Sequence, residues 1–390
     1  MTTSVEDKTG DIVIISPQEG QSLEDYIGHD LPGLVKGKTI GLSSEDHRCI
    51  VVSLEKNYRS EKAGKALMQE RISLLDQLRE LGDIDVFEET HRPLIGSDFL
   101  SLGNTIVIQG VNEGGEVYFP VRRRLEIPGL TNPPAYVFGR DFVIASRSFL
   151  ENYEMEGGVM VPKPHKNPEK TEETVRKFWG TLGIEKVHFL TPSTKMEFFI
   201  YDREMIPYPA FGDLDETVGS IPWLDIFTVD EEHYQQQKDT FRKIEEEEGI
   251  EFTVIPSVGI DKVYTSIYDG DLVRRKQDLW ANSYLAFVKD NPAYEDSSRW
   301  RQETVVLYNR NTCITGDLIR SRIQSNQRGI HYLERDRFRL EATNHPLLAN
   351  LEMARAHLRC FTHTVPDRTT YEALREKMGW NSPEGSIKVE

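Results

Sequence analysis

Apolar residues along this chain fall into short runs of strand length and longer stretches with helical spacing, and the two alternate. Within residues 1–45, where Gly, Pro, Ser and Asp recur, only Asp11 to Ser16 reads as a strand. Cys49 to Leu54 is a largely apolar run. Glu61 to Leu81 then places Leu67, Leu74, Leu75, Leu78 and Leu81 at helical spacing, closes on Gly82 and precedes the strand-like Ile84 to Phe87. The same order returns. Thr171 to Leu182, ended by Gly183, precedes Val187 to Leu190; Glu231 to Glu248, ended by Gly249, precedes Phe252 to Ile255; Asp317 to Gln327, ended by Gly329, precedes Ile330 to Leu333. A glycine just past each helix supplies the left-handed conformation that helix ends favour. Further strands are expected at Thr105 to Gln109, Tyr136 to Ala145, Phe198 to Tyr201, Leu224 to Val229, Tyr284 to Val288 and Thr304 to Tyr308, and Leu358 to Val365 is a candidate final strand. Glu113-Gly114-Gly115 and Glu156-Gly157-Gly158 read as turns. The pattern predicts an α/β protein with a weakly repeating unit, in a closed pseudosymmetric arrangement whose loops converge on one axis.

Composition narrows the function classes. No apolar run is long enough to cross a bilayer, and Met1 to Asp11 is polar and acidic with no basic stretch before an apolar one. Cys49, Cys313 and Cys360 are widely spaced and odd in number, unlike a zinc site or a disulfide framework, so a reducing cytoplasm is the expected location. The net charge of −17 argues against nucleic acid or an anionic membrane as a partner. The densest basic run, Arg122-Arg123-Arg124, is short, and Glu245 to Glu248 reads as the solvated end of a helix. No glycine-rich phosphate loop follows any strand, which leaves a dinucleotide without an anchor.

The stretch with the most chemistry is Ala354 to Pro366, where Cys360 stands among Arg355, His357, Arg359 and His363. Cationic neighbours favour the thiolate, the form of cysteine that attacks an electrophile. Cys360 is therefore the candidate nucleophile; the alternative is a small buried residue on the final strand.

Several stretches in order resemble the amidinotransferase branch of the guanidine-modifying pentein superfamily. Cys360-Phe361-Thr362 and the continuation Pro366 to Leu374 are similar to its cysteine motif and the extended tail after it. Gly96 to Ile106 resembles its Arg-Asp strand with a Gly-Asn turn, and Arg122 to Glu126 the Arg-rich segment beyond it. Gly139-Arg140-Asp141-Phe142 falls where the family has Ala-Asp-Phe, and Trp280 to Leu285 resembles a substrate-lining segment. The resemblance implies a five-bladed pseudosymmetric α/β propeller spanning residues 46–380 as one domain, after an irregular arm (1–45) and before a tail (381–390). It also implies a covalent mechanism without metal or organic cofactor. The Cys360 thiolate attacks a guanidino donor, arginine in the family, and the amidino group passes to an amine acceptor. Asp98 and Asp141 hold the guanidinium, Asp225 supports them, and Arg123, Asn282, Ser283, Trp223, Glu197 and His357 line the substrate. Paired carboxylates match the planar donors of a guanidinium.

The chain departs from the family at the His-x-Asp pair. Asp225 is present, but Trp223 stands at the histidine position, and an indole cannot carry a proton back and forth. His357 or His363 can take that role, or Asp213, Asp215 or Glu216 can. Three readings stay open: amidino transfer, hydrolysis of a guanidino compound on the same scaffold, and a non-catalytic binding protein. A homo-oligomer is compatible with all three.

Overall fold

The computed structural model describes residues 10–18, 20–41, 49–53, 72, 74–81, 84–90, 99–110, 130–156, 159–192, 196–201, 204–209, 214–255, 264–268, 271–275, 284–290, 302–308, 338–342 and 362–380. The expected helix at 317–327, the strand at 330–333 and the tail at 381–390 lie outside these.

The first segment is more regular than its composition suggests. It holds strand β1 (Asp11–Ile15) and two short helices, α1 (Leu23–His29) and α2 (Leu31–Val35). Ser22 caps α1, its hydroxyl accepting from the Asp25 amide at 3.1 Å. β2 (Cys49–Ser53) is buried at every position, and residues 74–80 are helical, burying Leu74, Leu75 and Leu78. β3 (Asp85–Glu89), β4 (Leu100–Leu102) and β5 (Thr105–Gln109) follow. The run from Tyr136 to Ala145, expected as one strand, is a hairpin of β6 (Tyr136–Phe138) and β7 (Phe142–Ser146). Gly139-Arg140-Asp141 turns the chain, and the Gly139 amide donates to the Phe142 carbonyl at 2.9 Å.

β8 (Glu151–Glu156) and β9 (Val159–Pro164) pair where Glu156-Gly157-Gly158 predicts a turn, although residues 157–158 themselves lie outside the described set. α3 (Pro168–Thr181) starts with a proline in its first turn, three residues before the expected start. β10 (Lys186–Leu190), the hairpin of β11 (Met196–Tyr201) and β12 (Glu204–Pro209), and the hairpin of β13 (Val218–Ile221) and β14 (Ile226–Asp230) come next. The single helix expected over 231–248 is two, α4 (Glu231–Gln236) and α5 (Lys238–Glu248), because Gln237 leaves helical geometry (φ −130°, ψ 34°). The chain continues through β15 (Phe252–Ile255), β16 (Tyr264–Tyr268), β17 (Asp271–Arg275), β18 (Tyr284–Asp290), β19 (Gln302–Tyr308), β20 (Phe338–Ala342) and β21 (Thr362–Val365). The residues after β21 form helix α6 (Arg368–Lys377) rather than an extended tail, capped by Asp367, whose carboxylate accepts from the Thr370 amide.

Five three-stranded sheets among the described residues share one topology: a central strand pairs antiparallel on one side and parallel on the other. Sheet I is β21-β2-β3, sheet II β4-β5-β1, sheet III β6-β7-β10, sheet IV β13-β14-β15 and sheet V β18-β19-β20. None closes on itself. Sheet I joins strands from opposite ends of the sequence, and sheet II borrows β1 as its parallel strand.

Side chains alternate across a strand, so each central strand offers two apolar faces. Those faces link the sheets in sequence. Val107 of β5 packs with Val143 and Ala145 of β7; Phe142 and Ile144 pack with Phe227 and Val229 of β14; Ile226 packs with Val306 of β19. Val305 and Leu307 share a cluster with Ile50 and Val52 of β2, while Cys49 and Val51 share one with Ile106 and Ile108 of β5. Five clusters thus run I–II–III–IV–V–I, each held by a pair of neighbouring sheets. Helices α3, α5 and α6 add Trp179, Phe241 and Tyr371 to these clusters. No helix among the described residues is long and apolar enough to cross a membrane.

The sheets have two ends, here the lower rim, where central strands begin, and the upper rim, where they finish. Short contacts match like rims: Arg140 with Asp225 at the lower rim of III and IV, and Phe99 with His363 at the upper rim of II and I. The hairpins β8–β9, β11–β12 and β16–β17 all leave from the upper rim. β11 also pairs with β17, giving a four-stranded antiparallel sheet, β12-β11-β17-β16, made from two separate insertions.

Candidate functional site

Of the expected site residues, Asp141, Trp223 and Asp225 are described at the lower rim. At the lower rim, the turn Pro222–Leu224 ends on Asp225, which has a left-handed backbone (φ 54°), a conformation aspartate tolerates better than most residues. Its carboxylate is engaged by a guanidinium of the same chain: Arg140 Nε lies 3.1 Å from Asp225 Oδ1, and the Arg140 guanidinium also donates to the Trp223 carbonyl at 3.2 Å. Trp223 is partly buried, and its indole N–H donates to Thr304 Oγ1 at 2.9 Å, joining sheet IV to sheet V. Asp141, in the neighbouring turn, is exposed. Its charge helps to raise the Lys186 ammonium pKa, a shift caused first by the hydrogen bond to Glu248.

At the upper rim, Phe99 stands edge-on to the His363 ring, with centroids 4.3 Å apart. Phe99 follows Asp98, and His363 follows Cys360 by three residues. Asp98, Arg123, Asn282, Ser283, His357 and Cys360 themselves lie outside the described residues. Glu197 is on β11, opposite Tyr208 of β12. Around the same rim, the Gln109 amide donates to Thr131 Oγ1 at 3.1 Å and the Leu130 amide to Gln109 Oε1 at 3.2 Å, stitching sheet II to the approach of sheet III.

One buried titratable group escaped sequence reasoning. His233 Nε2 lies 2.8 Å from both the Thr191 carbonyl and the Gln237 side-chain nitrogen, and Nδ1 lies 2.7 Å from the Thr217 hydroxyl. Complete burial lowers its pKa to about 4, so the ring is neutral near pH 7. Asp230, at the end of β14, caps α4 by accepting from the Glu232 amide at 2.9 Å. The Asp-x-x-His spacing at a strand-to-helix junction was the available signal for this cap.

No protein-family model and no curated protein matches the sequence. Solved structures with a similar chain path include a dimethylarginine dimethylaminohydrolase bound to 4-chloro-2-hydroxymethylpyridine, at 9% identity and TM-score 0.39 over 82% of this chain and 99% of that one. A cysteine-to-serine mutant of the Pseudomonas aeruginosa enzyme with citrulline gives 9% identity and TM-score 0.35 over 82% and 99%. A protein assigned as a peptidyl-arginine deiminase gives 9% and 0.43 over 84% and 98%.

Two other features complete the picture. A cleft of about 510 Å³ lies along β10 between α3 and α5, lined by Arg147, Glu172, Arg176, Lys186, His188 and Glu248. Its charges pair internally, as in Lys186–Glu248 (2.9 Å) and His188–Glu248 (2.7 Å). Among the described residues no group of three or more His, Cys, Asp or Glu side chains is arranged to hold a metal ion.

Proposed function

We propose that the chain is a guanidino-modifying enzyme of the pentein kind, with its five like sheets as the blades of a propeller and its reaction centre at the upper rim around Cys360. The observation that carries this reading is the Phe99–His363 contact. It joins the segment that follows Asp98 to the segment that follows Cys360, so one expected carboxylate and the expected nucleophile approach the same place along the chain. Asn282 and Ser283 lead into β18, which starts on the same rim.

Asp141 and Asp225 have a different part in this reading. The lower rim lies a strand's length from the upper one, about 10 Å for three residues of rise. There Asp225 and Arg140 tie sheets III and IV together. Asp98 remains the guanidinium ligand and His363 becomes the proton carrier.

The chemistry follows from these groups. The Cys360 thiolate adds to the guanidinium carbon, forming a C–S bond; the C–N bond to the leaving amine breaks and that nitrogen takes a proton. An amine acceptor then takes the amidino group and becomes a guanidine, or water takes it and urea leaves. Both routes regenerate the thiol.

The test is intact-mass spectrometry after acid quench, with wild type and Cys360→Ala incubated with arginine and other guanidines. The expected result is a mass gain of one amidino group in wild type only, discharged by amines for a transferase and by water alone for a hydrolase. One observation favours a second reading, that of a binding protein: Trp223 has a structural use, its indole bonded across to Thr304. Absence of an adduct with every guanidine tested, with Cys360 alkylating no faster than an ordinary thiol, decides for that reading.

A further inference from the structure

Helix α6 lies along strand β3, face to face. Asp85, Phe87 and Glu89 alternate onto one side of β3, and Arg368, Tyr371 and Arg375 form one stripe of α6. The two rows meet in order. Arg368 Nη2 lies 3.0 Å from Asp85 Oδ1 at the start of β3, and the Tyr371 ring meets the Phe87 ring with centroids 5.2 Å apart. At the far end the Tyr371 hydroxyl donates to Glu89 Oε2 at 3.0 Å, and Arg375 Nε lies 2.8 Å from the same oxygen. The guanidinium groups of Arg368 and Arg375 both sit over the Phe87 ring, 5.1 and 5.3 Å from its centroid. The lengths agree, since four strand steps rise about 13 Å and seven helical steps about 10 Å.

Glu89 is the unusual member of this row. It ends β3 opposite Ser53, the last residue of β2, so it stands at the upper rim, and its side chain is 0% exposed. A carboxylate removed from water has to keep its partners, whereas apolar side chains in the same space would pack as stably without fixing any one orientation. What the carboxylate fixes is Tyr371. The Tyr371 ring lies 5.6 Å from the Phe99 ring at an angle of 36°, and Phe99 in turn lies 4.3 Å from the His363 ring at 71°. Phe99 and Tyr371 are both fully buried in the cluster that sheets I and II share. At the packing density of a protein interior, a ring held on one side has little room to shift on the other. Direct contacts therefore lead from Glu89 through Tyr371 and Phe99 to His363.

We propose that Glu89, Arg375 and Tyr371 are positioning residues for the reaction centre at the upper rim: they set where Phe99 stands, and thereby hold the His363 imidazole in the orientation that proton transfer needs. The inference rests on the reading of His363 as the proton carrier. Proton transfer demands close alignment of donor and acceptor, so a small displacement of the ring slows the chemical step far more than it weakens binding. The segment after Cys360 thus has two parts in the site, β21 supplying the histidine and α6 the side chains that steady it.

The experiment compares Tyr371→Phe and Glu89→Gln, which keep shape and remove one hydroxyl or one charge, with Tyr26→Phe. The last removes a buried tyrosine hydroxyl of the same kind in a different cluster, where it donates to the Ile14 carbonyl at 3.1 Å. Two quantities are measured on the full chain: the rate at which Cys360 gains an amidino group from arginine, or from whichever guanidine labels the wild type, as a function of its concentration, and the His363 imidazole resonances by NMR, assigned with His363→Gln. The expected result is a tenfold or greater fall in the maximal rate in Tyr371→Phe and Glu89→Gln, with less than a threefold change in the half-saturating concentration and with displaced His363 resonances. Tyr26→Phe should show neither effect at a comparable loss of melting temperature. If Glu89→Gln does not fold, Tyr371→Phe decides alone. Where the wild type forms the adduct, an unchanged rate in Tyr371→Phe, or an equal fall in Tyr26→Phe, overturns the proposal. Where no guanidine labels the wild type, the reaction reading fails on its own and the resonances decide: displacement in Tyr371→Phe but not in Tyr26→Phe upholds the positioning of His363, and unmoved resonances overturn it.

Discussion

Asp225 meets two demands at once, a left-handed backbone and a charge for Arg140. The pair is partly exposed, 43% for Arg140 and 27% for Asp225, so solvent screens it, and Arg140→Ala should cost less than about 1 kcal/mol in urea unfolding, diminishing with added salt. His233 gives a larger signal. Its folded pKa of about 4 lies below the unfolded value, so the unfolded chain binds more protons between about pH 6.5 and 4, and stability falls as pH drops through that window. The loss should approach about 3 kcal/mol below pH 4, and His233→Gln should remove that slope from a series of urea titrations. Burial also pushes the Cys49 thiol well above the ordinary range, so Cys49 should resist iodoacetamide at pH 8 until the protein unfolds. At this scale the sequence showed which residues could bear charge. Period-two patterns do not tell which end of a strand a loop occupies, so the shared rim of Asp141 and Asp225 was not legible.

Among elements, the N-terminal segment departs most from expectation. Its helices are short and contain Gly28, Pro32 and Gly33, so no amphipathic period develops, yet Tyr26, Ile27 and Leu31 are buried in one cluster with α3, and Val13 and Ile15, on the β1 strand of sheet II, are buried in the same cluster. Burying such side chains contributes roughly 1.5–3 kcal/mol each, so together they rival the whole stability of a domain. A chain lacking residues 1–41 should therefore fail to give a cooperative thermal transition. Gly103 marks the same junction. Its φ is +62°, and a Cβ there would lie 2.7 Å from the Thr39 carbonyl, so Gly103→Ala should cost about 2 kcal/mol in chemical denaturation. The central strands were legible because burial on both faces leaves near-continuous apolar runs. β6 and β7 were merged because a three-residue turn between two apolar strands hardly interrupts such a run.

Across the whole molecule, a repeating strand and helix order predicted that like units would gather, and five like sheets linked by five shared clusters agree with that expectation. The sequence could not reveal that sheet I takes β21 from one end of the chain and β2 from the other, or that sheet II recruits β1. Pairings of that kind cross hundreds of residues and leave no local pattern. They also make most of the order long-range, so folding should be slow for the chain's stability, in the range of milliseconds to seconds or longer. During synthesis, β2 meets β3 soon after it is made but must wait for Thr362 to Val365 on its other side. The last link is thus supplied by the strand that follows Cys360, made long after β2 itself. Until that strand arrives, the flank of β2 that it will cover stays bare and invites chaperones or the wrong strand.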